Sequence, residues 1–79
     1  MNTKNAIESF LLNELLSGSR TSLDPEESLI NTGLIDSLGM LRLITYLEES
    51  QGVKVGDGDV VPENFDTLNK IVAFVESHR

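Results

Sequence analysis

Cysteine and tryptophan are absent from this chain, histidine occurs once and proline twice. Without cysteine no disulfide can staple the fold, and no protein thiolate can bind a metal or act as a nucleophile. That composition agrees with a reducing compartment. The one imidazole, His78, sits next to the C-terminal residue, so a Ser-His-Asp arrangement or a histidine metal site has little to build on. A Gly-rich phosphate loop of the Walker or Rossmann kind is missing. No apolar run approaches the roughly 18 residues a membrane-spanning helix needs. The opening MNTKNAIESF lacks a basic stretch followed by an apolar run, so it does not read as a secretory signal. Cations are scarce: 6 Lys and Arg face 13 Asp and Glu, a formal charge of −7. That excess disfavours nucleic acid, whose phosphates select basic patches, and anionic membrane surfaces. It suits basic protein partners, and equally serves solubility. The expectation is a cytoplasmic, monomeric protein with no catalytic group and no metal site, inserted in no membrane.

What is present describes one small helical domain, 1–79. A chain this short buries a modest share of its surface, so its stability is marginal. Residues 3 to 16 read as a first helix capped by Thr3, with Ile7, Phe10, Leu11 and Leu15 as its apolar stripe, widened by Leu12 and Leu16. Gly18 is placed to end it with positive φ. Residues 17 to 36 form a long connection broken by Pro25 and Gly33. Asp24-Pro25-Glu26-Glu27 can start one helical turn with Pro25 at its first position. The apolar Leu23, Leu29, Ile30, Leu34 and Ile35 predict that this connection lies across the helices and plugs their core.

A second helix is expected over 37 to 51, capped by Asp36 and stopped by Gly52. Met40, Leu43, Ile44 and Leu47 share one side and form its core stripe. Ser37, Leu38, Leu41, Arg42, Thr45, Glu48 and Glu49 share another side, mixed in polarity. Gly56-Asp57-Gly58-Asp59 is a polar turn. It resembles a fragment of a calcium loop but lacks the downstream ligands at the required spacing. Val60-Val61-Pro62 leads into a short helix near Glu63-Asn64-Phe65. A last helix over 67 to 78, capped by Asp66 or Thr67, carries the stripe Leu68, Ile71, Val72 and Val75, with Phe74 beside it. Val53-Lys54-Val55 alternates but is too short for a strand. The fold class is therefore all-α: a small bundle of three main helices and a short additional one, with a long first loop.

The remaining chemistry is concentrated in Gly33-Leu34-Ile35-Asp36-Ser37-Leu38. Ser37 falls in the first turn of a helix, where unpaired N–H groups and the helix dipole favour an anion. A phosphate ester on its hydroxyl suits that position. The plainer reading is that Asp36 and Ser37 simply cap the helix.

The long loop, this hexapeptide and the amphipathic helix ending Leu47-Glu48-Glu49 together resemble the acyl carrier and peptidyl carrier protein family over essentially the whole chain. The resemblance implies that Ser37 receives 4′-phosphopantetheine from coenzyme A through a phosphopantetheinyl transferase. It implies that Asp36 is the motif acid that helps at the transferase and magnesium interface, and that Leu38 is gripped by partners. The arm would carry an acyl or aminoacyl group as a thioester, its thiol coming from the cofactor, and tethering would raise the local substrate concentration at each partner. Docking would use Leu38, Leu41, Arg42, Thr45, Glu48 and Glu49, and the visits would be brief. The implied partners are the transferase, an adenylating acyl or aminoacyl ligase, and downstream acyl-processing enzymes.

Fatty-acid carriers usually keep acids just after the serine, where this chain has Gly39 and Arg42. The segment from Val61 to Leu68 looks like stand-alone carriers served by separate adenylating ligases. The expectation is such a specialised carrier, with the housekeeping fatty-acid carrier and an unmodified helical interaction module as alternatives. The cargo is left open among fatty acyl, polyketide and amino acid.

Overall fold

The computed structural model describes residues 2–17 and 21–79 of the chain. Among the described residues four α-helices follow in order: α1 (Thr3–Phe10), α2 (Ser37–Ser50), α3 (Pro62–Phe65) and α4 (Leu68–His78). No strand occurs among the described residues. No helix among them is long and apolar enough to cross a membrane.

The cap of α1 is Asn2, not the expected Thr3: its Oδ1 accepts from Asn5 N–H at 2.7 Å. Asn2 is extended and stands just outside the first helical residue, where a capping side chain must be. The first helix also does not run uniformly to position 16. Beyond Phe10 it widens into a π turn, Leu11–Leu15, closed by Leu16 N–H to Leu11 O at 2.9 Å. Leu11, Leu12, Leu15 and Leu16 are too many for one face at 3.6 residues per turn. The wider turn lets all four pack on the core, Leu11 fully and the others partly. Ser17 then takes a left-handed φ of 52°. The glycine stop expected at position 18 lies outside the described residues.

The long connection does plug the bundle. Leu23, Leu29 and Ile35 are buried and Leu34 is half-buried, but Ile30 stays exposed. The turn at Asp24 forms: its Oδ1 accepts from Glu26 N–H at 2.9 Å and its carbonyl from Glu27 N–H at 3.0 Å. Gly33 has φ +75°, which an L side chain rarely adopts. Asp66 ties this loop down. Its carbonyl accepts from Leu29 N–H at 2.6 Å, and its carboxylate accepts from the Ser28 hydroxyl at 2.7 Å and Ile30 N–H at 3.2 Å. Thr67 therefore caps α4 alone, accepting from Lys70 N–H at 3.1 Å.

The core is continuous. Ile7, Leu11, Leu43, Leu47, Phe65, Leu68, Ile71 and Val75 are almost wholly buried. Phe65 and Phe74 pack at 5.1 Å between ring centroids. Phe10 stacks on Tyr46 at 4.2 Å, and the Tyr46 hydroxyl donates to Ala6 O, joining α1 to α2. Of the stripe expected on α2, only Leu43 and Leu47 are core; Met40 and Ile44 are half-buried at its edge. On α4, Val72 is half-buried and Phe74 takes the buried place. Asp57–Asp59 is a single 3₁₀ turn, with the Asp59 carboxylate accepting from Gly56 N–H.

Asp66 gives the fold an acid-sensitive latch. The Ser28 hydroxyl first, then Ile30 N–H and the Lys70 charge, hold its carboxyl below the usual carboxylate range against the opposing effect of partial burial. A depressed pKa stabilises the fold above the unfolded value, about 3.9, and that stabilisation is lost as pH falls through the folded value. Asp66→Asn is therefore expected to be less stable than wild type at pH 7, with the gap closing below about pH 4. Urea melts at pH 7, 4 and 3 read this directly. A gap that stays constant with pH would remove the latch.

Candidate functional site

Asp36 and Ser37 stand where the plugging loop turns into α2. Asp36 is extended, and its Oδ1 accepts from Gly39 N–H at 2.7 Å while its carbonyl accepts from Met40 N–H at 2.8 Å. The helix starts at Ser37 because this carboxylate answers one of its unpaired N–H groups. Asp36→Ala should lower stability by about 0.5–2 kcal/mol, and Asp36→Asn, an equally good cap, should recover most of that. Chemical denaturation of both variants checks it.

Ser37 is exposed, and its hydroxyl makes no hydrogen bond among the described residues. It opens on a cleft of about 600 Å³ whose walls are Ile35, Met40, Leu41 and Ile44 on one side and Ile30 and Val60 on the other. Met40, half-buried and packed against the core, and the half-buried Ile44 thus also line the cleft beside the serine. Ile30 and Val60 were missed as its rim. Their one signal in the sequence was apolar character inside segments otherwise rich in polar and turn residues.

The six docking positions expected on α2 are all exposed, and the helix brings them to one face. Leu38 and Leu41 expose 66% and 60% of their surface, an apolar centre that no neighbour covers. Glu48 has a structural task as well, because its Oε2 accepts from Val55 N–H at 3.1 Å and holds the loop after α2. Thr45 bonds back to Leu41 O. Arg42 faces Glu14 of the first helix, a partner that nothing in the sequence indicated. Gly39 has a packing reason: a Cβ there would stand 3.3 Å from Asp36 Oδ1 and 3.5 Å from Ile35 Cγ2. His78 stacks on Phe74 at 4.0 Å between centroids, at the far terminus of the chain. No cluster of three or more metal-ligating side chains occurs among the described residues.

An unengaged serine in the first turn of a helix beside an apolar cleft leaves room for a group attached at its hydroxyl. The family model for the phosphopantetheine attachment site matches residues 11–75. The chain belongs to that family of phosphopantetheine-bearing carrier proteins. It is 35% identical over 77 residues to the D-alanyl carrier protein of Lactobacillus acidophilus, spanning 98% of this chain and 95% of that one. It is 30% identical over 74 residues to the probable acyl carrier protein PigG of Serratia sp., spanning 89% and 85%. Among solved structures, a chain in "Crystal structure of FAD-dependent dehydrogenase" superposes with a TM-score of 0.80 at 30% identity, over 87% of this chain and 97% of that one. The protein is a carrier that holds biosynthetic cargo on 4′-phosphopantetheine.

Proposed function

We propose that Ser37 is the residue that bears the arm. The observation that carries this reading is the exposed, unengaged hydroxyl in the first turn of α2, adjoining an apolar cleft of about 600 Å³. Ser37 Oγ would form the bond to phosphorus as the diphosphate linkage of coenzyme A breaks and adenosine 3′,5′-bisphosphate leaves, the serine proton passing to a base of the transferase. The phosphodiester would then lie at the N-terminus of a 14-residue helix, where the dipole stabilises negative charge. When bound, the arm supplies the thiol that a chain without cysteine lacks, and its apolar portion fits a cleft walled by aliphatic side chains.

In this reading the chain contributes no catalytic group and acts as a single domain and a monomer. An adenylating ligase charges the arm with an aminoacyl or specialised acyl group, and downstream enzymes receive it. The similarity to D-alanyl carrier proteins and the cation at Arg42 favour this specialised role over housekeeping fatty-acid synthesis. Leu38, Leu41, Arg42, Thr45, Glu48 and Glu49 form the docking face.

The test is intact-protein mass spectrometry after incubation with coenzyme A, magnesium and a promiscuous phosphopantetheinyl transferase, followed by peptide mapping. A gain of one phosphopantetheine on the peptide containing Ser37 is expected. No gain with several active transferases would leave an unmodified interaction module as the better reading.

A further inference from the structure

In a chain of net charge −7, the exposed face of α2 places a cation at its centre. Arg42 lies one turn beyond Leu38 and adjacent to Leu41. It borders two concavities, one of about 190 Å³ with Leu15, Leu38 and Gly39, and one of about 390 Å³ with Phe10, Tyr46 and Glu49. Gly39 keeps the first of these open, since any side chain there would enter the space between Leu15, Ile35 and Asp36.

The guanidinium is under-used. Among the described residues its ion partner is Glu14, through a single N···O approach of 3.6 Å, with the two side chains 49% and 57% exposed. An arginine fork holds a well-placed carboxylate through two parallel, shorter hydrogen bonds. A long, single, half-exposed contact is the weak kind of ion pair, readily exchanged. The other acids at the two concavities do not compete strongly. Asp36 is committed to Gly39 N–H, and Glu49, two turns further along the same face of α2, makes no ion pair with Arg42 among the described residues.

We infer that the ligase charging the arm presents a carboxylate to Arg42 between apolar contacts for Leu38 and Leu41, and that Glu14 is an internal competitor this carboxylate displaces. The inference rests on α2 being the face from which Ser37 is served. It assigns the partner a chemistry opposite to the one the net charge suggests. The overall negative charge attracts basic surfaces at long range, while Arg42 repels any partner that is basic at this one point and so discriminates among enzymes sharing the carrier.

The test uses the full chain carrying its arm, as wild type, Glu14→Gln, Arg42→Gln, Arg42→Glu and the Glu14→Gln/Arg42→Gln pair. Full occupancy of the arm is verified by mass in each. The probe is the enzyme with the highest kcat/KM toward wild type from a panel of amino-acid- and acyl-adenylating ligases that includes one activating D-alanine. At low salt, Glu14→Gln should raise kcat/KM by about two- to five-fold, the range an exposed ion pair spans. Arg42→Gln should lower it by about ten-fold and Arg42→Glu by more. Removing Glu14 in the Arg42→Gln background should bring no gain, because the competitor then has nothing to compete for. Melting temperatures should match throughout. A neutral or slower Glu14→Gln, a gain that persists without Arg42, or Arg42 variants charged as fast as wild type would each overturn the inference. Failure of the attachment reading looks different: wild type would acquire no arm mass.

Discussion

Ser37→Ala should acquire no arm at all while its melting curve overlays that of wild type. The hydroxyl is exposed and bonded to nothing among the described residues, so its removal breaks no internal contact. Alanine is also the better helix former, by a few tenths of a kcal/mol. The cap that starts α2 belongs to Asp36 and is untouched. Loss of modification without loss of fold is therefore the expected signature of an attachment point. The hydroxyls of Ser28 and Ser77 are engaged, donating to Asp66 and to Phe74 O. Intact mass and circular dichroism on the same samples decide the matter. A mass gain that survives in Ser37→Ala would move the site elsewhere, and a collapsed fold would give Ser37 a structural role.

Leu47→Ala should destabilise the fold severely, costing about 2–5 kcal/mol. Leu47 has no exposed surface and belongs to the same buried cluster as Ile7, Leu43, Phe65 and Ile71, so truncation leaves a cavity that neighbouring backbone cannot readily fill. For a domain of this length, that is a fall in Tm of about 10–30 °C, a large part of what a small fold has available. Leu41→Ala, on the opposite side of the same helix and 60% exposed, should leave Tm nearly unchanged and instead weaken docking. Thermal melts of the two variants separate the faces. An unaltered curve for Leu47→Ala, or a large drop for Leu41→Ala, would invert the assignment of core and docking face.

These two outcomes describe a division of labour along one helix. The buried side of α2 is ordinary core and supplies stability. The exposed side is costly to leave uncovered, with two large leucines in water, and such surfaces mark interaction sites. The proposed attachment point, Ser37, sits at the N-terminal end, where a helix favours a phosphodiester.

Much of this protein was determined by the sequence alone. Periodic apolar residues, the Asp36 cap and the Gly52 stop are local signals, and α2 and α4 formed within a residue of where those signals placed them. The Gly-Leu-Ile-Asp-Ser-Leu segment placed Ser37 in the first turn of α2, and helical geometry put Leu38, Leu41, Arg42, Thr45, Glu48 and Glu49 on one exposed face. The tertiary structure decided what depends on residues far apart in the chain. The widened turn over Leu11–Leu15 arises from competition among leucines for one core, which no local pattern expresses. Met40 and Ile44 have the spacing of core residues, yet Ile30 and Val60 approach from distant loops and leave a cleft there. Asp66 looked like one of two candidate caps for α4 and instead anchors the loop at Ser28 and Ile30, pairings 38 and 36 residues apart. Arg42 read as an oddity of charge, and only packing of the first helix against α2 gave it Glu14. Helix propensity, capping and amphipathicity act within a few residues and can be read along a chain; cavities, latches and cross-helix ion pairs exist only once the chain has closed on itself.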